Sequence, residues 1–281
     1  MKTGVIGLGQ IGGGVAICLA RAGQLSGVYD VRSNASDALE GVPPVVASPA
    51  ELVRVSDAIV IAVVTAQQTI DVLSGEDGVL AGSRPGQSII LVATVSLDDL
   101  ARIRALTDAK GVDLLDSGVV GGFHSAQNGL ICLVGAEQDA LDRAKPAFDG
   151  FARYIVHLGG PGAGMSGKVV YNAIYATSLC AGREVTKMAD AAGVDAAKLE
   201  RVFQDSGDSV GGPLRFVAAP VDAATDPAAA ERREEMSRML AKDLDAALNL
   251  AKSHDVALPM VEHTRRNVAF VLGLTPQETV P

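Results

Sequence analysis

The chain has 281 residues, 48% hydrophobic and 20% charged, the balance of an ordinary globular protein of one large domain or two modest ones; disorder is excluded as the main reading. The net charge of −9 is spread along the chain, with 11 basic and 17 acidic side chains over residues 1–160 and 13 and 16 over 161–281, so neither half has the basic excess that binding a phosphate backbone requires. Aromatics are only 4% and Trp is absent, which argues against a stacking platform for sugars or nucleic acid.

Cys18, Cys132 and Cys180 are far apart and odd in number, with neither metal spacing nor a disulfide framework, as fits a reducing cytoplasm. No metal site is predicted. Met1-Lys2-Thr3 runs straight into an apolar strand pattern, so no signal peptide is read there. The apolar run from Val169 to Gly182 is interrupted by Asn172 and flanked by Lys168 and Arg183; it is too short and too polar for a bilayer span and reads as a buried helix of a soluble protein.

In chain order, strands are predicted over Thr3–Gly7, Gly27–Asp30, Ala58–Val64, Ser88–Val92, Val112–Leu115, Leu130–Val134 and Tyr154–His157. Helical stretches lie between several of them, at Ile11–Ala22, Pro49–Val55, Gln67–Leu73, Leu97–Lys110 and Glu137–Phe148. The strands are solidly apolar rather than alternating, as expected where helices cover both faces of a parallel sheet. The pattern is α/β: a Rossmann-like, doubly wound, mostly parallel sheet. After Gly159-Gly160-Pro161-Gly162 the strand signal stops. Helices are predicted over Met165–Ala192, Ala196–Asp205, Ala228–Ser253 and Pro259–Leu272, with Met236, Leu240, Leu244, Ala247 and Ala251 on one apolar face. The expected division is a dinucleotide-binding domain over 1–160 and an all-α substrate and oligomerisation domain over 161–281.

Gly7-Leu8-Gly9-Gln10-Ile11-Gly12 is G-x-G-x-x-G directly after a strand and opening a helix. The first Gly permits the tight turn, the second lets the backbone approach a pyrophosphate, and the third lets helix and strand pack closely. Asp30 closes the second strand at the distance expected of a ribose acceptor, and Val31, Val63 and Val64 at neighbouring strand ends are counted with it as cofactor residues. The Asp30 charge would oppose a 2′-phosphate and so favours NAD; Arg32, two residues on, could reach such a phosphate and keeps NADP open.

The run Gly159 to Asn172 is a Gly-rich entry into a helix carrying Lys168 and Asn172 at i and i+4, on one face. Lys168 stands where a polar turn meets a nearly all-apolar helix, where partial burial would bring its pKa toward the range of a general acid or base. On spacing alone, a surface lysine beside a satisfied core amide is an equal alternative. Asp116-Ser117-Gly118-Val119-Val120-Gly121-Gly122 reads as a loop at a strand's carboxyl end, where paired glycine N–H groups can hold a carboxylate.

Together these segments resemble the β-hydroxyacid dehydrogenases, the family of 3-hydroxyisobutyrate dehydrogenase and tartronate semialdehyde reductase, with 6-phosphogluconate dehydrogenase more distant. The resemblance spans essentially the whole chain in order. Gly7–Gly12 matches G-L-G-x-M-G with Ile11 for Met, and Thr94 matches the S-T-x-S segment that touches the nicotinamide half of the cofactor. Asp116–Gly122 looks like D-A-P-V-S-G-G. Gly159, Gly162, Gly164, Lys168 and Asn172 match G-x-x-G-x-G-x-x-x-K-x-x-x-N, and Lys242-Asp243-Leu244 matches K-D-L.

The resemblance implies Lys168 as general acid/base, Asn172 as its orienting partner and Lys242 as a cofactor residue. It also implies a small hydroxy acid held by Gly121 and Gly122. Val120 stands where the family has Ser, and Gly118 where it has Pro, which throws more of the acid's binding onto Ser117, His124 or Ser125 and points to an altered substrate. A homodimer or homotetramer in the cytoplasm is implied, with no nucleic-acid or membrane partner. The alternatives are an imine reductase of the same fold, which generally lacks the lysine, and a cofactor-binding module without turnover.

Overall fold

The computed structural model describes residues 1–195, 198, 227–253, 255–272 and 274. By internal contacts the chain divides into two compact units, Met1–Tyr171 and Asn172–Pro281. The expected helix Ala196–Asp205 falls outside the described residues except for Lys198.

The first unit opens as β1 (Thr3–Ile6), α1 (Gln10–Arg21), β2 (Leu25–Tyr29), α2 (Pro49–Arg54), β3 (Ala58–Ile61), α3 (Ala66–Leu73), α4 (Val79–Gly82), β4 (Ser88–Leu91) and α5 (Leu97–Asp108). It continues through β5 (Asp113–Val120), a 3-10 turn at Gly122–His124, α6 (Ser125–Asn128), β6 (Leu130–Gly135), α7 (Gln138–Phe148), β7 (Ala152–Gly159) and the start of α8 (Ala163–Ala191). The seven strands form one sheet in the order β2-β1-β3-β4-β5-β6-β7, parallel except between β5 and β6. Strand order reverses between β1 and β3, so the first βα turn opens at the switch point where ligands of such sheets bind.

Local sequence explains the helix starts. The Ser48 and Ser96 side chains accept from Glu51 and Asp99 N–H, and Thr65 with Gln68 forms a capping box at the head of α3. Two apolar cores cover the faces of the sheet, one built on Val5, Val15, Leu19, Val60 and Phe148, the other on Ile6, Leu52, Ile61, Leu91 and Ile103. That double cover is why the strands carry no alternation.

Several element ends shift by one to three residues from expectation, and two further differences are larger. The predicted loop from Asp116 is strand as far as Val120, because residues Asp116–Val120 pair antiparallel with Ile131–Gly135 and so satisfy their backbone groups. In the second unit α9 (Pro227–Ser253) is one long helix, but the predicted helix Pro259–Leu272 is broken into α10 (Pro259–Arg266) and α11 (Val268–Val271). Asn267 makes the break, donating from its N–H and side-chain amide to the carbonyl of His263. Among the described residues of this unit, Ala251, Leu258 and Val261 form a buried cluster, with Leu244 and Leu248 packed against it. Among the described residues, no helix is long and apolar enough to cross a membrane.

Candidate active site

Gly7 adopts φ 85°, and its N–H donates to the Tyr29 carbonyl at 2.8 Å. A side chain there would meet the Ala62 carbonyl oxygen at 2.7 Å, and one on Gly12 would overlap the Gly7 carbonyl. Gly9 caps α1, and nothing lies within 4 Å of where its Cβ would be. The turn is therefore closed on its protein side and bare on its outer side, at a helix N-terminus that favours anions.

Asp30, at the end of β2, faces this turn. Its carboxylate accepts from Leu8 N–H at 2.7 Å and from Arg32 N–H at 2.9 Å, and the Arg32 guanidinium grips both oxygens at 2.9 and 3.1 Å. The Arg32 hydrogen bonds, joined by the Leu8 N–H, hold the Asp30 carboxyl down at about 2 against the cost of burial. Asp30 is thus charged at any working pH and already paired.

These residues line a cavity of about 430 Å³ that also takes in Val31, Val63, Val64, Gln68 and Asp71. Val31 and Val64 are 86% and 82% exposed, apolar side chains standing at its mouth. Gly7, Gly9, Asp30, Val31, Arg32, Val63 and Val64 are thus brought together as the sequence predicts. Leu8 turns its side chain into the core and offers only backbone, and Ile11 packs beneath. Gln10 is exposed on the first turn of α1. Tyr29, Ala62, Gln68 and Asp71 were not anticipated as cavity walls; the capping pattern Thr65–Gln68 just past β3 is the signal that marks Gln68. Thr94 is exposed beyond β4, outside this cavity.

The second cluster is built on β5, β6 and α8. Asp116 is only 2% exposed and accepts from Gly162 N–H at 2.7 Å and Met165 N–H at 2.8 Å, anchoring the first turn of α8. Burial pushes its carboxyl up, and those N–H donors pull partly the other way. Gly164 fits against the carbonyls of Asp116 and Leu133 with no room for a side chain. The glycines of this entry let the helix lie directly on the sheet. Lys168 follows, half-buried, and desolvation lowers its pKa from the ordinary lysine value. Its Nζ lies over the Tyr171 ring, 5.2 Å from the centroid.

Because β5 continues through this segment, its side chains alternate. Asp116 and Gly118 face α8, Val119 packs into the opposite core, and Val120 returns to the α8 side. Ser117 is corrected accordingly. It is fully buried, its hydroxyl lies against the Cys132 thiol, and it belongs to the core rather than to a substrate pocket. Buried Cys132, whose thiol burial pushes up to about 12, lies in the same core and is inert.

Gly121 takes φ 88°, with nothing within 4 Å of where its Cβ would be, and Gly122 follows in the 3-10 turn with exposed His124. Asn172 stands one helical turn beyond Lys168 on α8, exposed. Lys242 falls on α9, and its side chain lies outside the described residues.

Residues 2–159 match a family model described as the NAD binding domain of 6-phosphogluconate dehydrogenase. Residues 162–273 match one described as NAD-binding of NADP-dependent 3-hydroxyisobutyrate dehydrogenase. The chain is 30% identical to an NAD-dependent L-serine dehydrogenase of Pseudomonas aeruginosa, over 91% of this chain and 87% of that one. A solved oxidoreductase from Mycobacterium avium superposes with a TM-score of 0.82 at 29% identity, covering 98% and 99% of the two chains. An imine reductase from a Pseudomonas species shares the fold at a TM-score of 0.75 and 19% identity, over 97% and 94%.

Proposed function

This chain belongs to the β-hydroxyacid dehydrogenase family, and on that premise we propose that it interconverts a small β-hydroxy acid and the matching carbonyl compound, with Lys168 as general acid/base. NAD or NADP is the cofactor, and when bound it supplies the nicotinamide carbon that takes or returns the hydride. The bare outer side of Gly9, the paired carboxylate of Asp30 and the apolar mouth at Val31 and Val64 fit such a dinucleotide.

The N–H groups of Gly9 to Gly12 bind the phosphates, and Asp30 accepts from the adenosine ribose hydroxyls. The N–H groups of Gly121 and Gly122 hold the substrate's acid group, beside the side chains of Val120 and His124. Lys168 Nζ accepts the hydroxyl proton during oxidation and gives it back during reduction. Asn172 orients the oxygen or Lys168, and Lys242 offsets negative charge near the cofactor. Residues 1–160 form the dinucleotide-binding domain, and 161–281 the helical substrate and oligomerisation domain of a cytoplasmic homodimer or homotetramer.

The observation that carries the reading is the state of Lys168: half-buried, off the ordinary lysine pKa, and anchored by the Asp116 cap. It favours hydroxyl chemistry over imine reduction, because imine reductases of this fold generally lack the lysine. The test is NAD⁺ and NADP⁺ reduction across a panel of 2- and 3-hydroxy acids with sulfonate and phosphonate analogues. Turnover on a 3-hydroxy acid is expected. Cofactor binding with no turnover on any member would leave a binding module instead.

A further inference from the structure

Helix α1 contains three successive glycines, Gly12, Gly13 and Gly14, and glycine inside a helix is costly. Gly12 is accounted for by the cofactor turn, whereas Gly14 lies away from it. The Ser125 hydroxyl occupies the place a Gly14 side chain would take, with Ser125 Cβ 2.8 Å and Ala126 N 3.0 Å from that position. Ser125 is 3% exposed. The contact is one of four along a single stripe of α1. Ile11 Cδ1 fills the space where a Gly122 side chain would stand, the Cys18 thiol donates to the Ser125 carbonyl at 3.2 Å, and Arg21 Nη1 donates to the Ala126 carbonyl at 3.0 Å. Positions 11, 14, 18 and 21 recur at helical spacing, so one face of α1 is given over to the segment 121–128.

We propose that Ser125 is a positioning residue: its fit into the gap left by Gly14 locks the loop bearing Gly121 and Gly122 to the cofactor helix. The inference rests on the reading that Gly121 and Gly122 hold the substrate acid. Gly121, in its left-handed conformation, is the joint between β5 and this loop, so the loop can swing about it unless something fixes its far side. The α1 stripe does so, and the acid-binding N–H groups are thereby held in register with the phosphate turn at the head of the same helix.

The test compares wild type, Gly14→Ala and the double variant Gly14→Ala/Ser125→Gly, following kcat and KM for a turned-over hydroxy acid, dinucleotide Kd, and amide exchange over residues 121–129. Gly14→Ala is expected to raise KM about tenfold and to speed amide exchange, with kcat and dinucleotide Kd within about threefold of wild type. The double variant, which removes the obstruction from the other side, is expected to restore both KM and exchange, the signature of a direct coupling. Unchanged KM and exchange in Gly14→Ala, or a double variant no better than the single one, overturns the proposal. Should Gly14→Ala not fold, Ser125→Thr adds the extra methyl from the loop side, and unchanged KM and exchange there overturns it equally. If wild type turns over no hydroxy acid, the functional reading fails by itself, and exchange with its rescue still decides the interlock.

Discussion

Lys168 rests on Gly118: a methyl group on Gly118 would come within 2.5 Å of Lys168 Cβ and 2.9 Å of the Gly164 carbonyl. The strand thus sets the height of the lysine above the sheet, and a glycine at this point is a requirement of the site. Gly118→Ala is expected to lift the first turns of α8 and displace Nζ, lowering kcat by about 10²-fold, the scale of a misplacement near 1 Å. Dinucleotide Kd should be unchanged, since the cavity at Asp30 is built by other strands. Steady-state kinetics alongside a cofactor titration check this; wild-type kcat in a folded variant would show that the contact is slack.

Lys168 itself should govern the pH dependence. Desolvation favours its neutral form, so its pKa lies below the ordinary 10.5. Oxidation needs the neutral amine as base and reduction needs the ammonium as acid. The rate of oxidation should therefore rise with pH through the lowered pKa and level off above it, and reduction should show the opposite limb. Lys168→Ala should abolish that limb and lower turnover by about 10²–10⁴-fold while cofactor still binds. Persistence of the limb in the variant would assign it to another group.

Asp30 and Arg32 are expected to decide between the two cofactors. Asp30→Ser removes a ribose acceptor and frees the Arg32 guanidinium that now grips its carboxylate, so NAD affinity should fall and relative NADP affinity rise. The same pair carries a stability signature. The folded pKa, about 2, lies below the ordinary 3.8, so the contribution is present above about pH 4 and is lost as pH falls toward about 2. Melting curves of wild type and Asp30→Ser should differ most near neutrality and converge in that acid window. A wild type that already prefers NADP would mean that Arg32 meets the 2′-phosphate in spite of Asp30.

Much of this is legible in the sequence, because its signals are local. Gly7 to Gly12 and Asp30 announce the turn through spacing, and solid apolar strands announce a sheet covered on both faces. The helix bearing Lys168 declares itself by its glycine entry. What is not legible depends on pairing across distance. Asp116 reads as part of a loop, yet it caps a helix 46 residues away through Gly162 N–H, a partnership no window reveals. Ser117 looks available to substrate only while the segment is taken as loop; antiparallel pairing of β5 with β6 extends the strand and turns Ser117 inward. The same pairing returns Val120 to the side of α8. The bidentate grip of Arg32 on Asp30 likewise needs the backbone bend after β2, which the residue order does not specify.

Val120 yields the most discriminating test of substrate. It shares the α8 face of β5 with Gly118, which touches Lys168, and it directly precedes Gly121, which is proposed to hold the acid. A branched alkyl group there excludes water and offers dispersion contact but no donor. Val120→Ser adds a hydroxyl at that point, and a hydrogen bond to a charged acid contributes about 1.5–3 kcal/mol. The specificity constant for small 3-hydroxy acids should therefore rise by about one to two powers of ten. For a substrate whose apolar part packs on Val120, the same change should lower it. Kinetics on both classes, with melting temperature as the control for folding, separates the outcomes. Equal constants before and after in a folded variant would mean that the two glycines bind the acid unaided and that Val120 plays no part in choosing the substrate.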